Sequence, residues 1–183
     1  RRELPEDLSD RAAALAAVAE DGLALELVPA VLKEDKEVVM QAVANNGVAL
    51  KFATAGLRAD REVALAAVAQ DGLALQYAAA TLQEDRQIVQ TAVKQAGLAL
   101  FSAADVLRAD KEIVWAAVGQ DQRALEAASE AELLSDTNFV HETVQRFGDG
   151  GLDEVWILNI SVLSGRSFCC IMTDDHIAEM GIG

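Results

Sequence analysis

The sequence predicts a mainly α-helical protein, a right-handed α-solenoid of about five two-helix repeats followed by a C-terminal β-hairpin. Three observations carry this prediction. One phrase recurs every 25 residues over most of the chain. Each copy of the phrase contains a helix start followed by apolar residues at helical spacing. After Gly148 the pattern changes to alternating apolar and polar residues, which is typical of β-strands.

The repeat is visible in columns of residues that barely change between units. Four units align without gaps from Leu8, and a fifth starts at Arg108 with Gln122 in place of glycine. Chance does not maintain such columns over four or five copies. The columns are Asp10, Asp35, Asp60, Asp85, Asp110; Val18, Val43, Val68, Val93, Val118; Gly22, Gly47, Gly72, Gly97; Leu25, Leu50, Leu75, Leu100, Leu125; and Leu32, Leu57, Leu82, Leu107.

Each unit reads as helix, turn, helix, turn. Asp35 can accept hydrogen bonds from the free N–H groups of the next turn, and Glu37 places negative charge near the positive end of the helix. Gly47 is predicted to end this first helix, of about 11 residues, in a left-handed conformation. The apolar residues within 48–57 predict a second short helix.

Helices this short are marginal alone, so they must pack against neighbouring units, as in a stacked solenoid. The repeat domain is predicted to span residues 8–147. Its last part, residues 134–147, repeats only the first half of the phrase and has His141, Gln145 and Arg146 among its apolar positions. This half unit is predicted to be a terminal cap.

The phrase D-x-E-V-V-x-x-A-V-x-x-x-G-x-A-L-x-x-A-x-x-x-L at positions 35–57 resembles an α-helical repeat family known only as a domain of unknown function. That family occurs in bacterial and unicellular algal proteins, often in long arrays. The similarity covers residues 8–147. It implies the repeat fold and no activity, because no catalytic residues are known for the family.

The tail is predicted to be a separate element. Residues 148–152 form a flexible linker, and residues 153–183 contain two β-rich runs separated by Ser164, Gly165 and Arg166. A helix start follows, and this order is similar to the opening of a ubiquitin-like fold. A lone hairpin is unstable in water. Either the sequence is therefore truncated, or the hairpin docks on the solenoid or on a partner.

Composition restricts the partners. The net charge of −15 and the isoelectric point near 4.4 argue against nucleic acid and against anionic membranes, because both are bound by lysine and arginine. Every apolar run is interrupted before the length of about 18 residues that a membrane-spanning helix needs. We therefore expect the partner to be a protein or a peptide.

Cys169 and Cys170 are adjacent and cannot form the loop-closing disulfides of a secreted scaffold. We therefore expect a soluble protein in a reducing compartment, the cytoplasm or an organelle interior. The start at Arg1 is compatible with removal of a targeting segment.

The aspartate column has two interpretations. Carboxylates bind hard cations, so the column could be a metal array. Successive caps in a solenoid are, however, roughly 10 Å apart, and calcium needs six to eight oxygens around one ion. We therefore predict structural helix caps, with no metal and no cofactor. The predicted caps are Asp10, Asp35, Asp60, Asp85 and Asp110.

Basic residues follow the same edge. Eight of the 15 lysines and arginines lie beside the caps or two residues before them. This edge could bind an acidic partner. The acidic residues interleaved with the basic ones favour the alternative, a solvated surface of mixed charge. The eight are Arg11, Lys33, Lys36, Arg58, Arg61, Arg86, Arg108 and Lys111.

Two columns vary in chemistry while the frame stays fixed, and they supply the candidate partner-binding residues Phe52, Tyr77 and Trp115. Ser102 and Gln90 occupy the same columns in sister repeats, which favours an outward groove because a packed interior seldom accepts unpaired polar groups. The alternative is that these columns are core. The columns are Leu27, Phe52, Tyr77, Ser102; and Leu15, Met40, Leu65, Gln90, Trp115.

No catalytic residues are predicted. His141 and His176 adjoin no nucleophile signature, and Cys169 and Cys170 would point to opposite faces of a strand. The leading interpretation is a non-catalytic protein–protein interaction scaffold. The alternatives are a soluble accessory subunit of a larger assembly, such as an organellar complex of an alga, and the repeat-array fragment of a larger enzyme.

Overall fold

The computed structural model describes residues 10–129 and the helical residues 138, 139, 142, 143 and 146. These residues form helices and turns, with no strand among them. The predicted mainly helical fold with tandem packing is confirmed. The predicted linker at 148–152 and β-hairpin at 153–183, with its ubiquitin-like order, lie outside the described residues.

Each repeat contains three helical pieces rather than two: a long α-helix, a 3₁₀ helix and a short helix. The long helices are Arg11–Glu20, Lys36–Asn45, Arg61–Gln70, Arg86–Gln95 and Lys111–Val118. The 3₁₀ helices that follow them are Gly22–Glu26, Gly47–Phe52, Gly72–Tyr77, Gly97–Ser102 and Gln122–Ala124. The short helices are Leu32–Glu34, Ala55–Arg58, Ala80–Gln83 and Asp105–Arg108, and Leu125–Ser129 closes the described series.

The second helix predicted for residues 48–57 is divided into two pieces. Gly47, Leu50 and Ala53 are buried at a spacing of three residues, which is the period of a 3₁₀ helix. Ala53 and Thr54 then adopt extended backbone, with ψ of 155° and 159°, and the chain turns before Ala55–Arg58. The buried face of a 3₁₀ helix thus replaces the α-helical face that the pattern predicted.

The helices form two layers. Each long helix packs on the long helix of the next repeat, and each 3₁₀ helix packs on the next 3₁₀ helix. Each short helix contacts the long helix that follows it. No helix in the described part of the chain has both the length and the apolar character needed to cross a membrane.

The core between the layers is built from small side chains. In the second repeat, Val38, Val39, Ala42 and Val43 of the long helix and Leu50 of the 3₁₀ helix are fully buried. Equivalent residues are buried in the neighbouring repeats. Because alanine and valine add little bulk, the layers can approach closely and pack densely.

The glycine that recurs in the first four units has a different role from the one predicted. The long helix Lys36–Asn45 is followed by Asn46, whose backbone is extended with φ of −145°, and Gly47 begins the 3₁₀ helix without a positive φ. A Cβ atom on Gly47 would lie well under 3.0 Å from the Ala67 carbonyl oxygen of the next repeat. Glycine is thus required by the approach of two repeats. The same clash exists at Gly22, Gly72 and Gly97.

Replacing Gly72 by alanine is expected to lower the free energy of unfolding by about 1–3 kcal/mol, because the methyl group would overlap the Ala92 carbonyl oxygen and force two repeats apart. Chemical denaturation measures the change. Gly56 is the matched control, since a Cβ there meets nothing within 4 Å. Gly56→Ala should be neutral or stabilising by up to about 1 kcal/mol. Equal losses in the two variants would contradict this account of the glycine column.

Candidate functional site

The predicted caps occupy the N-terminal ends of the long helices. Asp60 accepts hydrogen bonds from the backbone N–H groups of Glu62, at 3.0 Å, and Val63, at 3.2 Å. Three further caps make the same pair of bonds: Asp35, Asp85 and Asp110.

Asp10 differs from the prediction. Its side chain makes no hydrogen bond to the first turn of Arg11–Glu20, all of which lies in the described part of the chain. The other four carboxylates are also held by a basic residue of the preceding repeat. Asp10 opens the described series of repeats, and the described residues include no preceding repeat to hold it.

The basic residues that begin the long helices bridge adjacent repeats. The Lys36 Nζ atom lies 2.9 Å from Asp60 Oδ2 and 2.8 Å from Glu62 Oε2. Arg61 Nε lies 3.0 Å from Asp85 Oδ2. Much of the predicted basic edge is therefore neutralised within the chain. The remaining pairs of this ion ladder are Arg11 with Asp35 and Glu37, and Arg86 with Asp110 and Glu112.

These contacts favour the ionised form of the cap carboxylates. The hydrogen bond from Lys36 is the largest cause that lowers the pKa of Asp60, and the two backbone N–H groups act in the same direction. At Asp85, burial raises the pKa, but the hydrogen bonds from Arg61 and the backbone outweigh it and leave the pKa below its ordinary value. Asp60 and Asp85 are thus ionised caps that accept hydrogen bonds both from their own helix and from a basic residue of the preceding repeat.

A second ladder joins the C-terminal ends of the long helices. Asn45 accepts a hydrogen bond from the backbone N–H of Gly22, at 2.8 Å, and donates to the Ala19 carbonyl oxygen, at 2.9 Å. Gln70 repeats this arrangement one unit later, accepting from Gly47 and donating to the Asn45 carbonyl oxygen. Each side-chain amide therefore satisfies backbone groups of the repeat before it.

The three predicted partner-binding residues lie in different layers. Phe52 and Tyr77 end successive 3₁₀ helices, where both are half-buried and pack against the core. Trp115 lies in the long helix Lys111–Val118. The Lys51 ammonium group sits 4.5 Å from the centre of the Phe52 ring. The structure does not bring Trp115 into one layer with the other two, and their partner-binding role stays a prediction.

Trp115 contacts the predicted terminal cap. Its ring stacks on Phe139, with ring centres 5.8 Å apart, and its Nε1–H donates to Thr143 Oγ1 at 2.9 Å. The Arg146 guanidinium lies 4.9 Å from the centre of the Trp115 ring. Phe139 and Thr143 are buried. The described residues of the half unit thus cover the last complete long helix.

Sequence reasoning missed most of a set of exposed apolar side chains, although Leu27 belongs to a column for which an outward groove was favoured. Leu27 is 62% exposed, Val31 78% and Val106 81%. The available signal was the variation of their columns: Val106, for example, aligns with Gly56 and Thr81. In the described part of the chain, every large apolar residue of this kind lies in the second half of a repeat, from its 3₁₀ helix to its short helix. We call this set the apolar face: Leu23, Leu27, Val31, Leu73, Phe101 and Val106.

No cluster of three or more histidine, cysteine, aspartate or glutamate residues suited to a metal ion occurs among the described residues. The sequence candidates for other chemistry, His141, His176, Cys169 and Cys170, lie outside them.

Replacing Asp60 by alanine is expected to lower the free energy of unfolding by about 0.5–2 kcal/mol, because the helix loses its cap and Lys36 loses a partner. Asp60→Asn should cost less, since asparagine caps helices about as well as aspartate. Thermal and chemical unfolding measure both variants. Added calcium should change neither.

The difference in free energy of unfolding between the wild type and Asp60→Asn should also depend on pH. The folded-state pKa of Asp60 lies below its ordinary value of 3.8, so the advantage of the wild type is present above about pH 4. It is lost as the pH falls through the folded-state pKa. An advantage that grows in acid, or a calcium-dependent melting temperature that disappears in Asp60→Ala, would refute the capping account.

The repeats also match a known family. Residues 10–58 and 60–108 each match the family described as a domain of unknown function, DUF4116, and each match spans two successive repeats. Comparisons with curated proteins and with solved structures found no match. Because the two matches together cover more than half of the chain, the protein belongs to the DUF4116 family.

Proposed function

We propose that this protein is a non-catalytic protein–protein interaction scaffold whose partner binds the second halves of the repeats. The observation that carries the proposal is the apolar face, whose residues all lie outside the long helices in the described part of the chain, in the second halves of the repeats. Exposed apolar side chains that are concentrated in one part of a fold can mark an interaction surface.

The long-helix layer supports the proposal because its exposed surface has a different chemistry. On the long helices of the described repeats, the exposed positions carry charged, amide or alanine side chains, as at Arg61, Glu62, Ala69 and Gln70. The charged and amide groups among them form the two ladders between repeats. The long-helix layer thus maintains the frame, and the second halves are free to vary.

The second halves do vary. One exposed column reads Glu26, Lys51, Gln76 and Phe101 in successive repeats, although the buried leucine before each of these residues is constant. Chemistry that changes on a constant frame is what a recognition surface of a repeat protein requires.

We expect the partners of the wild-type protein to be lost when the apolar face is made polar. The test variant combines Leu27→Ser, Val31→Ser and Val106→Ser, all at exposed positions. The immobilised proteins are incubated with an extract of the cells that make the protein, and bound proteins are quantified by mass spectrometry. Proteins enriched on the wild type should be depleted on this variant.

The matched control places the same number of serines on the long-helix layer, at exposed Ala16, Ala19 and Ala69. It should bind like the wild type. Equal binding to both variants, or no enrichment on the wild type, would refute the proposed function. Tyr77→Ala, added to the series, reports on the half-buried column, where a binding residue should lose at least about 1 kcal/mol of affinity.

A further inference from the structure

An open pocket lies between the short helices of the third and fourth described repeats. Its volume is about 540 Å³, and it is lined by Glu84, Ala104, Asp105, Val106 and Leu107. The Ala104 N–H donates to the Gln83 carbonyl oxygen at 3.1 Å, so the two short helices are joined at this point. The volume falls within the range of about 300–1,000 Å³ found for ligand pockets.

The pocket presents apolar surface to solvent. Val106 is the most exposed residue of the apolar face, whereas its neighbour Leu107 is buried. An aliphatic side chain of a ligand could cover Val106 and remove both apolar surfaces from water, which is favourable.

The charged groups of the pocket are acidic. Glu84 is exposed, and the Asp105 side chain is 87% exposed while its Oδ1 accepts a hydrogen bond from Arg108 at 2.7 Å. Arg61 and Arg86, which begin the long helices of these two repeats, are bound to acids of the ion ladder. Arg108 offsets part of the Asp105 charge, so the preference of the pocket for a cation rests on Glu84 and on the net charge of −15 of the whole chain.

On the basis of the proposed function, we propose that this pocket binds a basic peptide segment of the partner protein, with an aliphatic side chain against Val106 and a lysine or arginine beside Glu84 and Asp105. The same carboxylates repel phosphate groups, so a nucleic acid or an anionic lipid surface does not fit the pocket.

Three fluorescent peptides of equal length test the proposal by fluorescence anisotropy with the full chain. One alternates leucine and lysine, the second serine and lysine, and the third leucine and glutamate. We expect the leucine–lysine peptide to bind most tightly, because it supplies both the aliphatic group and the cation. Binding of the leucine–glutamate peptide with equal affinity would overturn the proposal.

Variants locate the binding. Val106→Ser should weaken the leucine–lysine peptide at least about fivefold, the fold-change that corresponds to a loss of about 1 kcal/mol. Ala69→Ser is the control, because Ala69 is an exposed apolar position on the long-helix layer, outside the apolar face. It should leave the affinity unchanged. Equal weakening by the two variants means that the peptide does not depend on the pocket, and it overturns the proposal.

A second pair of variants separates the pocket from the overall charge. Glu84→Gln removes one carboxylate at the pocket, and Glu142→Gln removes one from an exposed position on the terminal half unit. The first should weaken the leucine–lysine peptide and the second should not; equal effects overturn the proposal. If these pocket variants keep the wild-type affinity while the apolar-face variant still loses its partners from the extract, the pocket assignment fails and the proposed function stands.

Discussion

The structure depends on a close approach in the first four described repeats, between the glycine that starts the 3₁₀ helix after each long helix and a carbonyl oxygen of the next repeat. At Gly47 that oxygen belongs to Ala67, and only a hydrogen atom fits between them. The approach fixes how two repeats meet. At the same junction the Gly47 N–H donates a hydrogen bond to the Gln70 side chain. At the other end of the long helices, Lys36 forms an ion pair with Asp60. Both ladders therefore lie at the same junctions between repeats as this contact.

Under the proposed function, the long helices and the second halves of the repeats have different roles. Short helices gain their stability from neighbours, so the long-helix layer is occupied with polar contacts between repeats. Basic residues at the start of the long helices form ion pairs in those contacts, as at Lys36 and Arg61. The second halves carry exposed apolar side chains such as Val106 and exposed acids such as Glu84. This chemistry is the reason that we propose a basic peptide, and not a phosphate backbone, as the ligand.

The sequence predicted what local chemistry decides. A carboxylate before a run of apolar residues marks a helix start, which is why the caps at Asp35 and Asp60 could be read directly. The role of Gly47 could not be predicted in this way, because the clash that requires glycine involves an atom of the next repeat. The pairing of Lys36 with Asp60 is missed for the same reason. Exposure of Val106 was also hidden, since periodicity does not distinguish a short helix from a continuous one.

A comparison of double-mutant cycles tests directly whether each junction between repeats is one local unit. Gly47→Ala and Gln70→Ala disturb the same junction, whereas Gly47→Ala and Gln95→Ala disturb successive ones. From the free energies of unfolding, we predict a coupling of at least about 0.5 kcal/mol for the first pair and additivity for the second. Additivity in both pairs, or equal coupling in both, would contradict the account.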